Sequence, residues 1–135
     1  MRNMRKNAQD AMKFNFENLE IYKLAIKLIK LIYKLAKKLP KHEEYVLKPQ
    51  LLRAATSIAL NIAEGKGRNN DKEFARFLRI SIASAFETSA ILKILLDLGE
   101  VKKEDLKEIW PVIKELHFKM VGLERRLKRS IKARK

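Results

Sequence analysis

Ser57, Asn61 and Glu64 stand four and three residues apart in SIALNIAEGKGR, residues 57 to 68, and Glu87 follows on a second long apolar segment. Two carboxylates facing each other across a helix pair are the raw material of acid–base catalysis or of a carboxylate-held metal pair. The other groups those chemistries need are missing. Di-metal bundles take Glu-x-x-His motifs from two helices, and neither His42 nor His117 follows a Glu by three. A Ser57 nucleophile would need a histidine beside it. The Arg-x4-6-His spacing of one class of helical ribonucleases precedes neither histidine. No catalytic residue, metal site or cofactor is expected, and the chain does not read as an enzyme.

A structural role accounts for the same side chains. Gln50, Arg53, Ser57, Asn61 and Glu64 recur at spacings of three, four, four and three, a single polar row on an otherwise apolar helix. An unpaired buried polar group costs about 1–3 kcal/mol, so Ser57 and Asn61 need partners. Ser84, Glu87 and Thr88 lie at a similar height if the next helix runs back alongside, and Arg53 with Glu87 is the first pair expected. The row then fixes helix register, as a lone polar residue does in a coiled-coil core.

Gly65-Lys66-Gly67-Arg68 admits two readings. One is a helix C-cap and tight turn with glycine at positive φ. The other adds an anion contact, with backbone amides and the cations Lys66 and Arg68 presented before a helix start.

The elements that carry these groups follow from hydrophobic period. Residues 16 to 39 place Leu19, Tyr22, Ala25, Ile26, Ile29, Ile32, Tyr33 and Ala36 on one predicted helix face, with Pro40 as the stop. The other side carries Lys23, Lys27, Lys30, Lys34 and Lys37, a stripe about 21 Å long at 1.5 Å per residue. A second helix is expected from Glu43 or Glu44 to Glu64, with Pro49 in or near its first turn. Asn70, with Glu73 three residues on, caps a third that ends at Gly99. The fourth spans roughly 104 to 131, kinked or divided at Pro111. Residues 1 to 14 read as a basic N-terminal extension, 15 to 131 as the four-helix domain, and 132 to 135 as a basic tail.

Four helices with short connections predict an all-α, antiparallel up-and-down four-helix bundle. Residues 71 to 99 hold four basic and four acidic side chains, whereas residues 100 to 135 hold twelve and six. Helix three is therefore near neutral, and helix two has an uncharged run from Ala54 to Ala63. Helices lacking a broad charged face need further cover, so a homo-oligomer is expected.

A net charge of +15 points to polyanionic partners through counterion release. A lysine-rich proteome or a hot habitat would inflate the same count. No uncharged run approaches the roughly 20 residues needed to cross a bilayer, and cysteine is absent; a cytoplasmic protein with no membrane partner is expected.

Three stretches, FENLEIYKLA, QLLRAATSIALNIAEGKGR and EFARFLRISIASAFETSAIL, together resemble the small bacterial four-helix-bundle proteins encoded within intervening sequences of 23S ribosomal RNA genes. Accessory proteins of diversity-generating retroelements are relatives of that family. The similarity spans about residues 14 to 125 and is most specific at Arg53-Ala54-Ala55, Ser57-Ile58, Asn61 to Gly65 and Arg68, with Ser84 and Glu87 also fitting. It implies a bundle assembled as a ring, commonly a pentamer, without enzymatic activity, and nucleic-acid binding through a basic surface. Pro49, Pro111 and the basic ends depart from the pattern. RNA or DNA would meet the Lys23 to Lys37 stripe, assisted by Arg125, Arg126, Arg129 and Lys132, with low sequence selectivity because no aromatic row is placed for base stacking. The alternatives are a scaffold for a protein partner, and a stripe that is only a solvated face.

Overall fold

A computed structural model describes residues 13 to 134 of the chain. Four α-helices account for most of them: α1 (Glu20–Ala36), α2 (Leu47–Gly67), α3 (Asp71–Asp97) and α4 (Ile109–Ala133). Short 3-10 turns at Asn15–Asn18, Lys41–Glu43 and Lys103–Leu106 precede α1, α2 and α4, and no strand occurs among the described residues. Of the expected basic extension, all but Lys13 and Phe14 lies outside the described residues.

Local chemistry sets the helix ends. Pro49 sits in the first turn of α2 and Pro111 in the first turn of α4, where the missing amide hydrogen costs nothing. Pro111 thus divides the fourth segment into a 3-10 turn and one long helix. The Asn70 side chain accepts a hydrogen bond from the Glu73 amide at 3.1 Å and caps α3. Gly99 takes φ +74° just beyond its end.

Each helix packs on two others, α1 on α2 and α4, and α3 on α2 and α4, so the core lies at the centre of a square. The α2–α3 seam is the most extensive. Along it Gly65 meets Phe77, Ser57 meets Ser84 and Gln50 meets Glu87, so residues earlier in α2 meet residues later in α3. The α3–α4 seam follows the same rule through Asp71 with Ser130, Arg79 with Glu124, and Phe86 with His117. Leu28, Ile32, Leu51, Ile58, Ile62, Leu78, Leu92, Leu95 and Leu116 fill the interior.

The buried face of α1 differs from the expected one. Ile21, Ala25, Leu28, Ile32 and Leu35 form its centre, while Tyr33 is 46% exposed and Tyr22, Ile26 and Ile29 are half-buried at the flank. At 100° per residue the expected face was rotated by roughly 90°. Apolar residues occupy both flanks of α1, and the helix is turned so that its lysines stand opposite the core.

The glycine pair also differs from expectation. α2 runs on through Gly67, and neither Gly65 nor Gly67 takes a positive φ. The left-handed residue is Asn69, at φ 54°, a conformation asparagine tolerates better than most residues. Gly65 is instead a close-approach residue. A β-carbon there would lie 2.8 Å from Phe77 Cβ and 3.0 Å from Phe74 Cδ1.

Candidate nucleic-acid interface

The α1 stripe is built by local geometry alone. Lys23, Lys27, Lys30, Lys34 and Lys37 project from the side opposite Leu28 and Ile32, and all five are exposed. None of them forms an ion pair among the described residues; the neighbouring Lys38 does, with Asp105 at 3.7 Å. Five ammonium groups outside any ion pair among the described residues are available to a solution anion.

On α4, Arg125, Arg126, Arg129 and Lys132 are likewise exposed and without ion pairs among the described residues. Lys128 and Arg134, beside them, are engaged by Glu124 and Asp71. α1 and α4 pack against each other, and Lys119 of α4 bonds Glu20 of α1 across their seam. The Glu20 carboxylate holds the Lys119 ammonium above the usual lysine range.

Lys66 and Arg68 are placed differently. The helix continues through Lys66 to Gly67 and Arg68 is its C-cap with its amide bonded back to Gly65, so this backbone segment offers no nest of free amides to an anion. Arg68 bonds Glu64 at 2.8 Å and lies over the Phe77 ring, while Lys66 is half-buried with its ammonium 5.8 Å from the Phe74 ring centre.

The polar row lines the outer edge of the α2–α3 seam. Ser57 and Ser84 share a hydrogen bond of 2.9 Å, and the Asn61 amide donates to the Ser57 carbonyl and hydroxyl at 2.8 and 3.0 Å. Glu87 accepts from Gln50 at 3.4 Å, and no ion pair with Arg53 forms. Glu64 is held by Arg68 within its own helix, so Glu64 and Glu87 do not form a carboxylate pair.

Two polar groupings had no sequence signal. Glu124, 3% exposed, accepts a two-pronged bond from Arg79, with Nε at 2.8 Å. His42, Glu43 and Glu100 converge where the α1–α2 and α3–α4 connections meet. There His42 bonds Glu100, which raises the imidazole above its ordinary value. The neighbouring Glu100 carboxyl, together with burial, raises Glu43; Glu43 and then His42 lower Glu100. The histidine and Glu100 are separated by 58 positions, beyond the reach of any local pattern.

The described part of the chain is thus a small all-α protein of four packed helices with a lysine-lined exterior. The sequence model of the 23S rRNA-intervening sequence protein family matches residues 17–122, and the chain belongs to that family. It is similar to a crystal structure of a protein of unknown function from the S23 ribosomal protein family of Bacteroides thetaiotaomicron, with 25% identity and a TM-score of 0.71 over 77% of this chain and 97% of that one. No curated protein matches. No helix among the described residues is long and apolar enough to cross a membrane.

Proposed function

We propose that this protein is a non-enzymatic subunit of a cytoplasmic homo-oligomeric ring, an antiparallel up-and-down bundle of pentameric type, that holds structured RNA or DNA by charge and shape. The observation that carries the reading is the α1 stripe: five lysines on one exposed line, none neutralised by a carboxylate among the described residues. Membership of a family named for intervening sequences of 23S rRNA supports an RNA-linked role. The exposed cations at the end of α4, without ion pairs among the described residues, add to the positive charge of the surface. Selectivity among sequences is low, because phosphate contacts position a protein without reading bases.

The test is binding of structured RNA and duplex DNA by the wild type and by Lys23→Glu/Lys30→Glu/Lys37→Glu, measured over a range of salt. Charge reversal weakens binding to both and flattens the dependence on salt, by roughly 0.9 per lost phosphate contact on B-DNA. Unchanged affinity and slope overturn the reading.

A second reading, a scaffold for a protein partner, is favoured by one observation. Phe118 on α4 is 77% exposed, and Phe86 on α3, also exposed, packs edge-on against His117, the residue before Phe118. Partners captured from nuclease-treated lysate and lost on Phe118→Ser would favour the scaffold.

A further inference from the structure

We propose that His42, Glu43 and Glu100 form a binding site for one divalent transition-metal ion of the zinc class, which ties together the two connections at one end of the bundle. One ligand atom from each residue lies within 4.8 Å of the others. The segments carrying them are hydrogen-bonded turns. The Glu43 amide donates to the Pro40 carbonyl at 2.9 Å, and the Glu100 amide to the Leu95 carbonyl at 2.9 Å, beyond the left-handed Gly99. The ligand backbones are therefore held before any ion arrives, and only side-chain rotations remain.

Two features single this cluster out from ordinary surface carboxylates. Glu43 is only 5% exposed, yet no lysine or arginine forms an ion pair with it or with Glu100 among the described residues. That is unusual in a chain with 31 such cations. The second feature is Glu100 Oε2, a buried oxygen that no amide, hydroxyl or ammonium donor reaches. A buried carboxylate oxygen without a donor carries a desolvation cost that a cation would remove.

The donor set fixes the class of ion. One imidazole nitrogen and two carboxylates suit Zn²⁺ and its borderline neighbours better than Ca²⁺, which takes oxygen ligands alone. His42 is exposed, which gives the ion a path from solvent and leaves room for water to complete the shell. Bound there, the ion would clamp the turn before α2 to the turn after α3, two segments that the chain does not otherwise link covalently. This site is independent of the nucleic-acid surface and rests on none of the same residues.

The experiment uses the full chain, stripped with EDTA and dialysed. Zn²⁺ is titrated calorimetrically, Tm is followed in parallel, and Co²⁺ serves as a spectroscopic probe of nitrogen and oxygen ligation. One ion per chain, a Tm that rises with Zn²⁺ and falls back with EDTA, and ligand-field bands from Co²⁺ are expected. His42→Gln and Glu100→Gln, each checked for folding by circular dichroism, weaken binding about tenfold or more, since even indirect supports of a metal ligand are worth that much. His117→Gln, remote from the cluster, leaves it unchanged. Absence of saturable Zn²⁺ binding by the wild type overturns the proposal and leaves a proton as the group between the carboxylates. Binding that survives both variants overturns it equally. If either variant fails to fold, Glu43→Gln replaces it and carries the same two outcomes.

Discussion

Gly65 of α2 and Phe77 of α3 approach so closely that a β-carbon on residue 65 would stand 2.8 Å from Phe77 Cβ. A contact that short leaves no room for a side chain, so the absence of one is what sets the spacing of the α2–α3 seam. Gly65→Ala forces the helices apart and lowers stability by about 1–3 kcal/mol. Gly67→Ala is the control, because nothing lies within 4 Å of its would-be β-carbon and its φ is not positive. That change leaves stability equal or raises it by up to about 1 kcal/mol through helix propensity. Urea unfolding of the two variants tests the assignment, and equal losses would remove it.

The Ser57–Ser84 hydrogen bond joins the same two helices about two turns away. Each serine replaced singly by alanine costs about 1 kcal/mol, and a double-mutant cycle gives a coupling of about 0.5–1.5 kcal/mol. Arg53→Ala paired with Glu87→Ala gives no coupling, since Glu87 bonds Gln50 instead. Coupling between Arg53 and Glu87 would restore the pairing expected from sequence.

Arg79 and Glu124 form an asymmetric pair, with the carboxylate buried and the guanidinium largely in water. Arg79→Ala leaves the buried carboxylate with only the Lys128 ammonium at 4.0 Å and lowers stability by about 1–2 kcal/mol, a figure reduced from that of a fully buried pair because water reaches the arginine. Arg79→Met combined with Glu124→Leu recovers much of the loss, because apolar groups of similar size need no partner. Thermal melts of the single and double variants decide it; a double variant worse than the single would refute the argument.

Ile80 and Ile94 of α3 and Leu60 of α2 are exposed apolar side chains on the helices with the least charge. In the proposed ring they are covered by the next subunit. Ile80→Lys with Ile94→Lys is expected to yield a smaller, still folded species by light scattering with circular dichroism. A wild-type chain that is already monomeric at working concentration removes the ring.

Much of the fold was legible along the chain because its signals are local. Helix period, the first-turn Pro49, the Asn70 cap and the left-handed Gly99 each depend on residues within a few positions. The outward lysines were legible too, since five ammonium groups on one line have nowhere to go but water. Glu64 and Glu87, attractive as a pair in sequence, are separated by the register of the seam, which sets Glu64 near the level of Phe77 and Glu87 at that of Gln50.

By itself the sequence determined four helices, the Asn70 and Gly99 ends of α3, the lysine-lined face of α1 and a strongly cationic chain, all consequences of backbone geometry and of the cost of burying charge. Only the tertiary structure decided which sector of α1 is central, that Gly65 serves close approach and not a turn, that Glu124 finds Arg79, and that His42, Glu43 and Glu100 meet. Those outcomes depend on how near two distant segments come and at what rotation. That is set by the packing of whole helices against one another, and no window of neighbouring residues contains it.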